Sequence, residues 1–371
     1  MSNTEQLKQW RRLFHQYPEV SYQEYETTKR LKEILKAHDI KMVDYPLETG
    51  VVAEIGQGDE IVALRTDIDA LPILEQVDSD ITSQNQGAMH ACGHDIHMAS
   101  ILGAALILKE KEADLPGRVR ILFQAAEELG SGAQQMIDAG VLMGVKAVTG
   151  FHNDPTLKVG EFSIKAGAMT SAVDRFFIRI QAKGGHAAKP EESNDPMIIL
   201  GQLLTSVQSI VSRNVSAFDS AVVTIGEVSA GNTWNVIPDT AQIQGTVRTF
   251  DPKTRAHVEH RLQSICDGLA QAFDAEVELD YIHLPNAVMN DADLTEVAKS
   301  TAQEAGYQVY DLKQPKTIGE DFSAMSDTVP GVFAFIGSES DYDLHHPKYN
   351  PNEGILETAP VYLANLVQKL F

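Results

Sequence analysis

The stretch 89–98 concentrates side chains that can bind a metal ion. Cys92 and His94 are two residues apart, and His97 follows at helical spacing. A thiolate and an imidazole this close can hold one ion from the turn that opens a helix. The alternative is a polar helix start in which Asp95 caps the helix. The stretch alone leaves both interpretations open.

Further candidate residues follow predicted core strands. They are Asp67 and Asp69 after strand 61–64, Glu127 and Glu128 after strand 118–124, and His152 after strand 145–151. In open α/β sheets, sites form at the carboxyl ends of the strands, so we expect these side chains to converge. Solvated loop aspartates, acids at a helix start and a structural histidine are the alternatives. Three successive strands that end in possible ligands favour a functional site.

The adjacent pair Glu127 and Glu128 has the clearest chemical interpretation. Charge at the end of a core strand is costly unless it is paired, coordinated or protonated. A metallohydrolase needs one carboxylate to bind metal and another to take a proton from water. On an extended strand end the two side chains would point in opposite directions, which suits these two roles.

Composition limits the class of protein. A chain of 371 residues favours two domains, and 30 basic against 52 acidic residues give a net charge of −22 that argues against a nucleic-acid partner. Cys92 and Cys266 are the only cysteines, so no disulfide framework is expected. The first residues lack a signal-peptide core, and no apolar run is long enough for a bilayer. These features predict a cytoplasmic protein without a membrane partner.

The order of elements changes in the middle of the chain. From about residue 168 the pattern predicts β-α-β-β-α-β, the order of the ferredoxin-like motif. We therefore predict an inserted α+β domain over 167–285 and a catalytic α/β domain formed by 1–166 and 286–371. Within the insert, His186 lies in a glycine-rich turn and Asn235 in a polar loop. Arg248 lies in a strand, either as a surface charge or as a carboxylate clamp.

Six motifs together resemble the amidohydrolase branch of the M20 metallopeptidases, in order and over nearly the whole chain. They are RTDIDALP (65–72), HACGHDIH (90–97), AEE (126–128), GGHAA (184–188), NVIP (235–238) and LHHP (344–347). The resemblance implies a zinc-peptidase-like catalytic domain, with a mixed sheet between helices, and an inserted lid or dimerisation domain.

The resemblance also implies the roles of individual residues. The ligands of two divalent metal ions would be Cys92, His94, Glu128, His152 and His345. Glu127 would be the general base, supported by Asp67, and His186, Asn235 and Arg248 would contact the substrate. His97 and His346 are expected to be supporting or structural. Many family members have a histidine where this chain has Arg65, so zinc, manganese, cobalt and nickel all remain possible.

The implied reaction is hydrolysis of an N-acetyl amide by a homodimer joined through the insert. Details of 319–322 and 344–348 favour N-acetyl-LL-diaminopimelate, which would give LL-diaminopimelate and acetate in lysine biosynthesis. The alternatives within the family are a hippurate- or auxin-conjugate-type N-acyl amino acid amidohydrolase and a carboxypeptidase. Two others are a Cys92 nucleophile activated by His94 and a metal-binding protein without activity. The first alternative gives neither Glu127 nor Glu128 a role, and the second needs only one of the two.

Overall fold

The computed structural model of the chain describes residues 3–371, whose contacts form two compact units. The first unit contains the chain up to Met169 together with Val288–Pro315 and Glu320–Phe371, and the second contains Thr170–Ala287 and Lys316–Gly319. The sequence predicts Lys316–Gly319 as part of the catalytic domain, but its contacts lie within the second unit.

The helices and strands are numbered along the chain. The helices are α1 (Asn3–Gln16), α2 (Tyr25–Ala37), α3 (His94–Glu110), α4 (Gly132–Asp138), α5 (Pro196–Ser209), α6 (Pro252–Phe273), α7 (Ala292–Glu304), α8 (Phe322–Thr328) and α9 (Ile355–Lys369). The strands are β1 (Lys41–Met42), β2 (Val51–Gly56), β3 (Ile61–Asp67), β4 (Arg118–Gln124), β5 (Val145–Asp154), β6 (Glu161–Ile164), β7 (Gly167–Ala168), β8 (Ala172–Gln181), β9 (Gly185–His186), β10 (Ala221–Ala230), β11 (Val236–Ile237), β12 (Thr240–Thr249), β13 (Glu276–His283), β14 (Met289–Asn290), β15 (Gln308–Asp311) and β16 (Gly331–Gly337).

An eight-stranded mixed sheet organises the first unit, in the order β1-β2-β4-β3-β5-β16-β6-β15. Strands β4, β3, β5 and β16 run parallel, whereas β2 pairs antiparallel with β4. Every residue of β3 is buried, as the apolar run 61–64 at its start predicts for a strand covered on both faces. Because these strands are parallel, the residues at the carboxyl ends of β3, β4 and β5 lie at the same edge of the sheet. His152, predicted to follow its strand, lies within β5 near its end.

Helix α3 is buried on almost all sides. Its sequence after the first turn is rich in alanine, isoleucine and leucine, and it packs against α1, α9 and β3. A helix that is apolar all round belongs in a core. This packing fixes the start of α3, at His94, in the first unit.

The second unit contains a four-stranded antiparallel sheet in the order β10-β12-β8-β13 with helices α5 and α6. Buried and more exposed residues alternate along β8, and Phe176, Ile178 and Ile180 enter an apolar core with residues of both helices. Asp195 and Asp251 cap the two helices. This arrangement confirms the predicted fold class. Among residues 3–371, no helix combines the length and apolar character needed to cross a bilayer.

Candidate metal centre

The histidine turn, residues 90–97, connects a loop to the first turn of α3. Gly93 precedes the helix with a φ of 86°, and a Cβ there would collide with the side chain of Asn153. Only glycine suits this left-handed, closely packed position. Asp95 does not cap the helix, because its carboxylate lies 2.8 Å from both Arg11 and His15. The alternative interpretation of this stretch as a simple capped helix start is therefore wrong.

In His94 and His152, Nδ1 contacts a backbone carbonyl oxygen, and Nε2 is the ring nitrogen that can bind a metal ion. His94 Nδ1 lies 2.8 Å from the carbonyl oxygen of Asp69, and His152 Nδ1 lies 2.7 Å from that of Asn153. Each Nδ1 must donate to its carbonyl, so in the neutral ring Nε2 carries the lone pair. His152 Nε2 is 3.3 Å from Cys92 Sγ. Such backbone contacts fix the tautomer of histidines that bind metal through Nε2.

The glutamate turn, residues 125–133, differs from the sequence prediction. Glu127 and Glu128 do not lie on an extended strand end, since β4 stops at Gln124 and Ala126 adopts a left-handed φ of 52°. The turn, not strand alternation, therefore sets the directions of the two carboxylates. Glu128 Oε1 lies 3.9 Å from His94 Nε2, and Glu128 Oε2 lies 3.5 Å from His345 Nε2.

The structure brings all five predicted ligands together. Ligand atoms lie within 4.8 Å of one another in the groups Cys92–His94–His152, Cys92–Glu128–His345 and His94–Glu127–Glu128. Shared members join these groups into one cluster. His345 is the least buried member, with a side chain 53% exposed.

The cluster has the properties of a cation site. His94 Nε2 and Glu128 Oε1 are buried and have no hydrogen-bond partner within residues 3–371. Burial alone would lower the pKa of His94, but the carboxylates of Asp67, Asp69 and Glu128 raise it to about 10. Two orphaned ligand atoms amid excess negative charge, with thiol, imidazole and carboxylate donors, fit a divalent ion.

His97 is close to the cluster but has no free ring nitrogen. Its Nδ1 lies 2.7 Å from Asp67 Oδ1, and its Nε2 accepts the backbone N–H of Asn153 at 3.0 Å. Asn153 also donates from its side chain to the carbonyl oxygen of Cys92 at 2.7 Å. These contacts make His97 a link between Asp67 and the Cys92 backbone, and they are consistent with the supporting role expected for it.

Glu127 lies in a buried acidic environment that motif analysis did not anticipate. Its carboxylate, Glu320 and Asp321 form another close group, and Arg65 pairs with Glu320 at 3.1 Å and Asp321 at 2.7 Å. Arg65 also holds Asp67 Oδ2 at 3.0 Å. Burial, with the charges of Glu320, Glu128 and Asp321, raises the pKa of Glu127 well above its ordinary value. The adjacent acids Glu320 and Asp321 in the stretch 319–322 are the sequence signal that could have indicated this group.

His346 has a local structural role. Its ring stacks on Tyr342 at 4.5 Å, and its Nδ1 accepts the N–H of Lys348 at 3.1 Å. It is in none of the groups of possible metal ligands that residues 3–371 form.

The three predicted substrate-contacting residues lie in the second unit. His186 is exposed on β9, and its Nδ1 accepts the N–H of Ala188 at 3.0 Å, so Nε2 carries the proton of the neutral ring. Asn235 is exposed in the loop before β11. Arg248 is half-buried on β12 and donates to the carbonyl oxygen of Val247 at 3.1 Å. Each presents a donor group, as binding of an anionic or polar substrate requires.

The fold and the donor cluster together define a two-unit α/β protein with a buried metal-binding centre. The model of peptidase family M20/M25/M40 matches residues 63–369. The chain therefore belongs to this family, which confirms the resemblance seen in the motifs. It is an enzyme of a metal-dependent hydrolase family.

Three relatives are similar to this chain over nearly their whole length. The chain is 44% identical to an N-acetylcysteine deacetylase of Bacillus subtilis, covering 96% of this chain and 94% of the relative. It is 33% identical to an N-acetyldiaminopimelate deacetylase of Priestia megaterium, covering 97% and 96%. The crystal structure of Bacillus subtilis YXEP, described as a dinuclear metal binding peptidase of the M20 family, has a TM-score of 0.89 and 38% identity, covering 99% of this chain and 98% of that one.

Proposed function

We propose that this protein is a two-metal amidohydrolase that removes the acetyl group from an N-acetyl amino acid. The observation that carries the proposal is the convergence of five donor side chains on one buried cluster, with Glu127 beside it. The dinuclear centre described for YXEP and the deacetylase names of relatives support it.

We assign Cys92, His94, Glu128, His152 and His345 as the metal ligands. Bound there, two divalent ions supply Lewis-acid activation of water and of the amide carbonyl. The donor set is mixed: the thiolate favours zinc, and the imidazoles and carboxylate also suit manganese, cobalt and nickel.

Glu127 is the proposed general base. Its carboxylate is close to the ligand atoms of His94 and Glu128, where a proton would be taken from water. From this position the carboxyl group can hold that proton and deliver it to the leaving amine nitrogen. Asp67, held by Arg65 and His97, supports the cluster without exposing its own oxygens.

The alternative in which Cys92 attacks the substrate is disfavoured. Burial and the carboxylates of Glu128 and Glu127 raise the pKa of the Cys92 thiol well above its ordinary value. A nucleophilic cysteine needs the opposite shift. A thiol in this setting is better suited to ligate a cation, whose charge stabilises the thiolate.

His186, Arg248 and Asn235, which all lie within the second unit, are the proposed substrate-contacting residues. With its proton on Nε2, His186 can donate to the oxyanion that forms at the amide carbon. Arg248 is proposed to hold the substrate carboxylate, since a guanidinium matches that group with two parallel donors. Asn235 offers its amide to the same substrate.

We also propose a homodimer joined through the second unit. Within the described residues, β12 is the sole strand neighbour of β10, and Val222 and Val228 on β10 are exposed. A ten-residue edge strand with exposed valines favours pairing with another chain. Sedimentation velocity should give the mass of a dimer, and Val228→Lys should shift it toward the monomer; a monomeric wild type would refute the proposal.

The relatives favour N-acetyl-L-cysteine as the substrate. The N-acetylcysteine deacetylase is 44% identical to this chain, whereas the N-acetyldiaminopimelate deacetylase is 33% identical. N-acetyl-LL-diaminopimelate, which the motifs favour, is therefore the second candidate, with a place in lysine biosynthesis.

A substrate panel tests the proposed function. The protein loaded with zinc or manganese is assayed for amine release from N-acetyl-L-cysteine, N-acetyl-LL-diaminopimelate, N-benzoylglycine and an indoleacetyl amino acid. The proposal expects the highest kcat/KM for an acetylated substrate. Preference for the benzoyl or indoleacetyl compound would indicate the alternative amidohydrolase specificity. Wild-type turnover in the Glu127→Gln variant would refute the mechanism.

A further inference from the structure

Glu24, which precedes α2, reaches the glutamate turn from far away in the chain. Its Oε1 accepts the backbone N–H of Ala126 at 2.9 Å, 102 residues away. The Glu24 side chain is fully buried. We propose that Glu24 is a positioning residue that fixes the glutamate turn and thereby orients Glu127 and Glu128. The inference rests on the roles given to those two residues under the proposed function.

Glu24 is not needed to start its own helix. It occupies the N-cap position of α2, where an acidic side chain normally accepts N–H groups of the first turn, but it makes no such bond. Glu19 does this instead, accepting the N–H groups of Glu26 at 3.2 Å and Thr27 at 2.7 Å. The carboxyl group of Glu24 is therefore committed to another part of the molecule.

The contact is one of three carboxylate contacts with the backbone of this turn. Glu24 accepts from Ala126, Asp69 accepts from Glu128 at 3.0 Å, and Asp321 accepts from Ala133 at 2.9 Å. The acceptors come from three separate segments of the chain. The three backbone N–H groups that they accept lie before, within and after the pair Glu127–Glu128.

The glutamate turn needs this support because its conformation is unfavourable. Ala126 has a left-handed φ of 52°, which a residue with a Cβ adopts at a cost. The turn then closes so tightly that a Cβ on Gly132 would collide with the carbonyl oxygen of Ala125. Without an acceptor, the buried Ala126 N–H would be unsatisfied in the native turn, which favours rearrangement.

Glu24 acts through the backbone and lies outside the residues, 63–369, that match the family model. Burial raises the pKa of Glu24, so a neutral acceptor of the same reach should replace it well. We therefore expect the length of the side chain at position 24, rather than its charge, to decide whether the Ala126 N–H has an acceptor. Glutamine keeps the reach and loses the charge, whereas aspartate keeps the charge and loses the reach.

The test compares Glu24→Gln, Glu24→Asp and Glu24→Met, with Glu19→Met as a matched control on the same segment. Each full-length variant is stripped of metal, and its zinc affinity is measured by competition with a chelator. Tm and, for the zinc-loaded protein, kcat and KM for N-acetyl-L-cysteine are also measured. Glu19→Met removes the same kind of carboxylate-to-backbone contact but leaves the glutamate turn alone.

We expect Glu24→Asp and Glu24→Met to lose about 10–100-fold in zinc affinity and in kcat, with KM changed less than about threefold. Glu24→Gln should stay within about threefold of wild type, and Glu19→Met should lower Tm without changing zinc affinity. Equal damage in Glu24→Gln and Glu24→Asp, or wild-type zinc affinity in Glu24→Asp, would overturn the inference. If Glu24→Met does not fold, the Gln–Asp pair decides. If the wild type hydrolyses no acetyl amino acid, the proposed function fails, while zinc affinity still tests Glu24.

Discussion

The histidine turn and the glutamate turn supply proposed metal ligands to the same cluster but are held in different ways. The histidine turn is positioned by a left-handed glycine, Gly93, and by the burial of α3 directly after it. The glutamate turn carries a left-handed alanine, Ala126, and three carboxylates from distant segments accept its N–H groups. Distant segments contact both turns, but the left-handed position is held by a glycine in the histidine turn and by an alanine in the glutamate turn.

This difference matters for function. In the histidine turn the left-handed position costs little, because a glycine occupies it. In the glutamate turn the proposed base, Glu127, and the proposed ligand, Glu128, are neighbours, so any shift of the backbone moves both. We therefore expect a substitution in or around the glutamate turn to change kcat without changing metal affinity, or the reverse, only when the backbone of the turn keeps its conformation. A substitution that shifts the backbone should change both.

The largest effect on rate is expected for Glu127→Gln. The amide keeps the shape of the side chain but cannot take a proton, so kcat should fall by about 10²–10⁴-fold. Metal content, measured by elemental mass spectrometry, should remain that of wild type. An empty metal site in this variant, with metal retained in Glu128→Gln, would mean that the two roles are reversed.

Glu128→Gln should act on metal binding. Its carboxylate lies between His94 and His345, and the amide is a much poorer ligand for a divalent ion. We expect zinc affinity to fall by at least about 10-fold and added zinc to restore part of the activity. A variant that holds wild-type zinc and stays inactive at every zinc concentration would contradict this assignment.

His97→Gln tests the link behind the histidine turn. The substitution removes the ring that connects Asp67 to the Asn153 N–H, so the Cys92 backbone loses a fixed neighbour. We expect about a 10-fold loss of zinc affinity with unchanged zinc stoichiometry, measured by titration of the metal-free protein. Loss of one whole equivalent of zinc would instead identify His97 as a direct ligand.

The smallest effect is expected for His346→Asn. The side chain stacks on Tyr342 outside the ligand cluster, so zinc affinity and kcat should stay within about twofold of wild type. This variant is the matched control for His345→Asn, which should weaken zinc binding. If the two neighbours gave equal losses, the assignment of His345 as the ligand would be wrong.

The sequence was sufficient where a property is local or periodic. Apolar runs located β3, β4 and β5, the β-α-β-β-α-β order gave the second unit, and motifs placed the five donor residues at strand ends and in loops. The parallel arrangement of these strands then explains why residues far apart in the chain meet.

The sequence was insufficient where a contact spans the chain. Glu24 looks like an ordinary acid at a helix start, and nothing near it indicates a partner 102 residues away. The sequence indicates only that Arg65 replaces a histidine found in many family members. It does not indicate that Arg65 pairs with Glu320 and Asp321 beside Glu127. The directions of Glu127 and Glu128 were attributed to an extended strand because a positive φ at alanine has no sequence signal.

The most direct test of the central claim is a crystal structure of the zinc-loaded protein with anomalous data collected above and below the zinc edge. The account predicts two zinc peaks within the cluster of Cys92, His94, Glu128, His152 and His345. Each peak should lie about 2.0–2.3 Å from its ligand atoms, and Glu127 and His97 should make no direct bond to either. Zinc bound elsewhere, or coordinated by Glu127 in place of Glu128, would contradict the account.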